Sequence, residues 1–316
     1  MAEADVELRL RRRPPPEALR WVTDAVGAGE RISSIRRLRG GTSTAMHAIN
    51  VADARGHRHR LVLRRFVRSD WLAIEPDLPQ REASVLRLLE GSDIPAPWLV
   101  AVDADSTACD VPAVLMTRLP GHVTFVPDDM TSWLTQLAAV LPAIHAVDSA
   151  AHAAVQPYRP YNDLHQLEPP PWSNWPGAWA KALDLVAGPA PETSHCFIHR
   201  DYHPGNVLWA RGQLSGIIDW VNASWGPPGI DFGHCRRNLA QLHGLEVADR
   251  FLASYRTVDG AFDHHPYWDL VTAMDSDWHP EPGVFRGWIE HGVRGLTPAL
   301  IRSRLDDYVA SIVARV

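Results

Sequence analysis

The chain has 316 residues, 46% hydrophobic and 22% charged, with a formal net charge of −6. This is the size of two domains or lobes with ample core and the composition of an ordinary soluble globular protein. The negative balance disfavours bulk binding to nucleic acid, and no apolar run approaches the ~18 residues of a membrane span, so neither kind of partner is expected. Cys109, Cys196 and Cys235 are far apart and odd in number, which fits neither a disulfide framework nor a zinc site. They read as reduced thiols of a cytosolic protein. The first residues carry mixed charge (Glu3, Asp5, Glu7, then Arg11 to Arg13) and lack the apolar segment of a signal peptide. A cytoplasmic location follows as an expectation.

Residues 1 to about 13 read as frayed. Pro14-Pro15-Pro16-Glu17 opens a helix of about residues 14–27, stopped by Gly27 and Gly29. Leu19, Val22 and Val26 form its packing stripe. From Arg31 the period changes to that of strands: Ile32 to Leu38, Met46 to Val51 and Arg58 to Phe66, the last after a loop at Gly56. Gly40-Gly41-Thr42-Ser43-Thr44 joins the first two. By itself it is a turn. Upstream of the acids described below, it reads as a flap whose backbone N–H groups and Ser43 hydroxyl cover phosphates.

On the third strand Val62, Arg64 and Phe66 share one face, and Leu61, Leu63 and Arg65 the other. Val62 offers an apolar group to a base, with a cation two residues on. Only one of the 31 basic residues, Lys181, is lysine, and it sits on a later helix. Arg64 is therefore the candidate to hold phosphates, a role its planar fork suits. Gln80 to Leu89 reads as a helix, and Glu82 near its start is placed to pair with Arg64. Strands follow at Trp98 to Val102 and Val111 to Met116. The second runs into Thr117-Arg118-Leu119-Pro120-Gly121, which reads as a hinge between an N-terminal lobe (1–118) and a C-terminal lobe (119–316).

Beyond the hinge the chain turns helical. Thr131 to His145 reads as one helix, with Leu134, Leu137, Leu141 and Ile144 inward. Residues 156 to 176, rich in proline and aromatics, read as an irregular loop. The densest chemistry comes at His199-Arg200-Asp201-Tyr202-His203-Pro204-Gly205-Asn206, then strand, turn and strand to Ile217-Ile218-Asp219-Trp220. Phosphoryl transfer needs one acid to accept or orient the proton of the attacking hydroxyl. It also needs an amide oxygen and a second carboxylate to hold Mg²⁺ against the phosphates. His-x-Asp alone is common; the joint pattern is rare. It makes Asp201 the candidate acid/base and Asn206 and Asp219 the candidate metal ligands. Asp231-Phe232-Gly233 spells the kinase metal-binding triplet, but Gly226-Pro227-Pro228-Gly229 precedes it in place of a buried strand. Asp231 is instead expected to cap the helix Ile230 to Leu242 or to brace the catalytic loop. Further helices are expected at Val247 to Tyr255, Tyr267 to Met274 and Pro298 to Ala314.

Charge is unequal between the halves. Residues 119–316 carry 13 basic and 21 acidic residues, net −8. Between Asp259 and Glu281 six acids (Asp259, Asp263, Asp269, Asp275, Asp277, Glu281) interleave with Trp268 and Trp278 without any Lys or Arg. Such a mixture suits either a solvated face or a cationic substrate.

With these residues in place, the chain resembles the aminoglycoside phosphotransferase family, the antibiotic- and choline-kinase-like relatives of protein kinases. The resemblance covers about residues 31 to 275. It is carried most strongly by residues 199–206 and 217–220, and less strongly by Gly40-Gly41-Thr42-Ser43, Leu61-Val62-Leu63-Arg64 and Arg81-Glu82-Ala83. It implies an α+β, two-lobed protein-kinase-like fold, with a small antiparallel-sheet N-lobe, a mainly helical C-lobe, and ATP or GTP with Mg²⁺ as partners. It further implies that Arg64 and Glu82 hold phosphates and that Thr117 and Leu119 offer backbone groups to the purine. Arg64 stands where the family has lysine, and His203 where protein kinases place a catalytic-loop lysine. No Ala-Pro-Glu segment follows Asp219, which argues for a small-molecule hydroxyl as acceptor. The rival expectation is a nucleotide-binding pseudokinase or regulatory module without turnover.

Overall fold

The computed structural model describes residues 3–27, 29–41, 43–52, 58–148, 152–258, 260–276, 278 and 281–316. Thr42, Gly56, Asp259 and Asp277 lie outside the described residues. The chain divides into two compact units, Met1–Gly121 with Ser215–Val221, and His122–Leu214 with Asn222–Val316.

The first unit opens with α1 (Glu3–Arg11) and α2 (Pro16–Val26). Then come β1 (Arg31–Arg37), β2 (Ala45–Ala52), β3 (Arg58–Arg65), α3 (Ser69–Ile74), α4 (Leu78–Leu88), β4 (Leu99–Asp103) and β5 (Ala113–Thr117). The strands make one antiparallel sheet in the order β1-β2-β3-β5-β4. Its central strand, β3, sets Val62 opposite Ala48 on one side and Met116 on the other. The period-2 alternation of β3 is realised. Leu61 and Leu63 join Ala18, Trp21 and Val22 of α2 and Ile49 and Leu115 in one core, while Arg64 takes the opposite face. Residues 3–11 are helical where fraying was expected: Val6 and Leu10, four apart, make a narrow stripe, and Leu10 is buried with Ala45 and Val67. Residues 215–221 belong to this unit through Ile217, whose N–H donates to Pro95 O (2.8 Å), and Ser215, whose Oγ donates to Pro120 O (2.8 Å).

The second unit is mainly helical. It contains β6 (His122–Val123), α5 (Met130–Ala139), α6 (Leu141–His145), β7 (Gln156–Pro157), α7 (Pro176–Ala187), β8 (Cys196–Ile198) and β9 (Val207–Ala210). β10 (Gln213–Ile217) runs on into the first unit. β11 (Ser224–Gly226), α8 (Gly229–His243), α9 (Leu245–Tyr255), α10 (Tyr267–Met274), α11 (Arg286–Glu290) and α12 (Pro298–Val313) complete it. The single helix expected over 131–145 is two. Pro142 has no N–H to continue α5, and it stands where the first turn of α6 tolerates it. Arg211 (φ 53°) and Gly212 (φ 74°) supply the two left-handed residues of a type I′ hairpin turn after β9. The aromatic loop is packed: Trp172 meets Trp179 edge to face, Trp179 lies tilted against Trp278, and Asp306 of α12 accepts from Trp179 Nε1 (2.8 Å) and Asn174 N (2.7 Å).

Candidate active site

In the second unit, the short buried strand β8 delivers the chain to His199, after which the polar residues leave the sheet. Arg200 adopts φ 69°, a left-handed conformation costly for a residue with a Cβ. Asp231 holds it there, accepting from His199 N (2.9 Å) and Arg200 N (2.6 Å), with His145 Nε2 at 3.2 Å. Of the two expected roles for Asp231, bracing the loop is the one realised; α8 has no side-chain cap. The Arg200 guanidinium stacks 3.7 Å from the Tyr161 ring and 5.0 Å from Tyr158. Tyr202 is buried and donates to Leu137 O at 2.8 Å. The loop is thus clamped on both sides of Asp201, whose side chain stays 31% exposed.

Asn206, in the single 3₁₀ turn Pro204–Asn206, donates from Nδ2 to Asp201 Oδ2 (3.0 Å) and to the Asp201 carbonyl (2.9 Å). Its amide nitrogen is thereby spent, and its amide oxygen is the atom left to face a cation. His234 Nε2 lies 3.0 Å from Asp201 Oδ1, and His203 Nε2 3.8 Å from the same oxygen. Burial pushes the Asp201 carboxyl up, but the neighbouring His203 and the His234 hydrogen bond outweigh it, and the acid ends well below the usual carboxylate range. Burial pulls His203 down to about 4 against the pull of Asp201, and it lowers His234 with help from Arg237. At neutral pH the carboxylate is ionised and both imidazoles are neutral.

In the first unit, Arg64 is 4% exposed and its Nη1 meets two carboxylates, Glu82 Oε1 and Asp219 Oδ1, each at 2.7 Å. Thr44 Oγ1 accepts from Arg64 Nε at 3.2 Å, and the Phe66 ring lies 5.1 Å from Cζ. Burial would lower the Arg64 pKa, but Asp219 and Glu82 raise it overall. Burial raises the Glu82 pKa, with Arg64 opposing. Asp219, 36% exposed, also adopts a left-handed φ of 69°. Gly40 (φ 88°) and Gly41 lie between β1 and β2. A Cβ on Gly41 would sit 2.8 Å from Thr44 O, so the turn is tight. Ser43 is half-buried. Val62 is buried beside Arg64. Thr117 donates its N–H to Trp98 O (2.9 Å) and accepts from Trp98 N (2.8 Å) at Oγ1; Leu119 is half-buried just beyond β5.

The structure therefore brings Arg64, Glu82 and Asp219 together in one unit, and Asp201 with Asn206 in the other. Sequence reasoning missed Thr44 as a partner of Arg64 and His234 as a partner of Asp201. The first was within reach, since Thr44 directly precedes β2, the strand paired with β3; for the second no local pattern exists.

The acids of 259–281 need correction as a surface for a cation. Asp269 is fully buried among Arg236, His264 and Tyr308. Asp275 accepts from Asn162 N (2.9 Å) beside Arg200, and Glu281 pairs with Arg302 at 2.6 Å. Trp268 and Trp278 are buried. Of the four described acids only Asp263 is exposed without such a partner shown. Burial also accounts for the cysteines: it pushes the Cys109 thiol up to about 11 and Cys196 to about 12, and raises Cys235. No helix of the described residues is long and apolar enough to cross a membrane.

Comparison with known proteins adds an independent line. A model of the phosphotransferase enzyme family matches residues 34–270. No curated protein matches by sequence. Among solved structures, the apoenzyme of macrolide 2′-phosphotransferase MphH from Brachybacterium faecium aligns at TM-score 0.53 and 21% identity, over 82% of this chain and 88% of that one. A thermostable mutant of aminoglycoside phosphotransferase APH(4)-Ia, in its apo form, aligns at TM-score 0.58 and 19% identity, over 89% and 95%. A ternary complex of that enzyme with AMP-PNP and hygromycin B aligns at 0.57 and 18%, over 89% and 94%. At such identities the likeness is one of fold, and the fold is the two-lobed, kinase-like α+β class.

Proposed function

The chain belongs to the phosphotransferase enzyme family, and from that premise we propose that it moves the γ-phosphoryl group of ATP (or GTP) to a hydroxyl of a small molecule. The observation that carries this reading is the Asp201 carboxylate: ionised, partly exposed, and fixed by Asn206 on a loop that Asp231 braces. A carboxylate this weakly basic orients the acceptor hydroxyl and takes its proton late, as the new P–O bond forms and the bond to the leaving nucleoside diphosphate breaks.

The other roles follow residue by residue. In the first unit Arg64 faces phosphate oxygens, with Glu82 and Thr44 holding its fork; Gly40, Gly41 and Ser43 offer N–H and O–H donors; Val62 packs against the base. Thr117 has spent its N–H on Trp98, so its carbonyl and the Leu119 backbone are the groups for a purine edge. Asp219 offers a carboxylate to Mg²⁺, and in the second unit Asn206 offers its amide oxygen. Both are the hard oxygen donors that Mg²⁺ takes. When bound, the ion offsets charge on the phosphates.

The acceptor is a small hydroxylated molecule. That solved relatives include an aminoglycoside enzyme with bound hygromycin B and a macrolide enzyme supports antibiotic-like acceptors, cationic ones among them. Asp269, Asp275 and Glu281, engaged by partners within the chain, add nothing to that preference. One observation favours the rival reading of a nucleotide-binding module without turnover: Arg64 already neutralises Asp219. A transfer screen separates the two. The protein, Mg²⁺ and ATP or GTP are incubated with aminoglycosides, macrolides, choline-like amines, amino-alcohols and sugars, and phosphorylated product is read by mass. Product from one class with matching nucleoside diphosphate is expected. Bound nucleotide with no product from any class would sustain the rival.

A further inference from the structure

His234 lies far along the chain from Asp201, on the first turns of α8, yet its Nε2 is 3.0 Å from Asp201 Oδ1. With His203, it forms a trio whose ligand-type atoms all fall within 4.8 Å of one another, which is the composition of a small metal centre. The hydrogen bonds behind the rings point elsewhere. Gly205 N–H donates to His203 Nδ1 at 3.1 Å. Arg237 Nη2 faces His234 Nδ1 at 3.4 Å, and a guanidinium has donors only. In both rings Nδ1 is thus the acceptor, and the proton of the neutral ring sits on Nε2, the nitrogen turned to Asp201. A metal-bound histidine has the reverse arrangement, with one nitrogen bare toward the ion and the other N–H given to an acceptor.

We propose that His234 is a positioning residue for Asp201: its Nε2–H, with the tautomer set by Arg237, holds Oδ1 while Asn206 holds Oδ2. This rests on the reading of Asp201 as the group that orients the acceptor. The terminal torsion of an aspartate is broad and weakly hindered. One donor on each oxygen removes that freedom, and each oxygen keeps a further lone pair for the acceptor hydroxyl. His203 stands as the second, longer neighbour of Oδ1. Gly205 provides its room: a Cβ there would come 2.5 Å from His203 Cε1 and 3.0 Å from Nδ1.

The test uses the full chain with Mg-ATP and water as acceptor, read as ADP release, for wild type, Asp201→Asn, His234→Ala and His234→Gln. His234→Ala should lower kcat by about 10- to 100-fold, the scale set by misplacing a catalytic group, with KM for ATP unchanged. His234→Gln, whose amide N–H replaces Nε2–H, should restore most of the rate. If Asp201→Asn retains the wild-type rate, the role of Asp201 itself fails. If Asp201→Asn is inactive but His234→Ala turns over like wild type, the inference alone fails. A ¹⁵N spectrum of histidine-labelled protein at pH 8 needs no turnover: the His234 signal, identified by its loss in His234→Gln, should show Nε2 protonated and Nδ1 bare. A protonated Nδ1, or stoichiometric Zn²⁺ binding that is lost in His234→Gln, would overturn the proposal.

Discussion

One guanidinium, that of Arg64, is held between two carboxylates in a place where almost no water reaches it. Removing it leaves Glu82, 1% exposed, as an uncompensated buried charge. Arg64→Ala should therefore destabilise the protein by about 3–5 kcal/mol, the cost of breaking a buried pair from one side. Combining it with Glu82→Gln should return part of that loss, because the stranded charge is gone. Urea unfolding of the two singles and the double mutant measures this. A loss below about 1 kcal/mol, the size typical of a surface pair, would show that the pair is not the buried interaction described. The same residue explains how the chain manages with one lysine. Arginine keeps its charge when buried and reaches two acceptors at once.

At the level of elements, α8 and α10 meet through glycines. A Cβ on Gly229 would lie 2.4 Å from Trp268 ring atoms, and one on Gly233 would lie 2.7 Å from Thr272 Oγ1 and 2.8 Å from the Trp268 carbonyl. These glycines, four apart, share one face of α8 and let α10 approach closely. Gly233→Ala pushes against backbone, which cannot rotate away, and should cost about 1–3 kcal/mol as overpacking does. The shift of the unfolding midpoint in urea checks it; an unchanged midpoint would mean the helices part freely. The triplet Asp231-Phe232-Gly233 is thereby accounted for without a metal. Asp231 braces the loop before Asp201, Phe232 stacks on Phe251 at 4.9 Å, and Gly233 makes room for α10.

For the whole molecule, acidity is a stress that one buried histidine transmits. His47 of β2 is buried, and burial together with Arg65 and Arg37 pulls its pKa from 6.5 to about 4. Between those values the unfolded chain binds a proton that the folded chain refuses, so stability rises with pH across this window and is lost as pH falls through it. The loss amounts to about 3 kcal/mol for this one group. The thermal midpoint should drop between pH 6.5 and 4, and less steeply in His47→Gln. Equal slopes in the two proteins would remove His47 from the account.

Much of this was legible in the sequence because it is periodic or closely spaced. The alternation of β3 puts Leu61 and Leu63 in the core and Arg64 on the other face, and the bounds of α10 are those the pattern predicts. The distance from Arg64 to Glu82 along the chain already suggested a strand–helix pair. What stayed hidden depends on a few residues or on tertiary approach. α1 has only Val6 and Leu10 as a stripe amid charges, and the break between α5 and α6 turns on one proline. The side chains of Asp269 and Asp275 look like part of a charged surface in one dimension and are buried partners in three. His234 reaches Asp201 only because α8 passes that loop.

The central claim is that Asp201 orients the acceptor and does not bind the nucleotide. It is tested by comparing Asp201→Ala with wild type in two assays at once: γ-phosphate transfer to the best acceptor of the screen, and calorimetric binding of Mg-nucleotide. The account predicts a fall in transfer of about 10²- to 10⁴-fold, the range for a positioned acid–base group, with nucleotide affinity largely retained. Transfer near the wild-type rate, in a variant that still binds nucleotide, would contradict it.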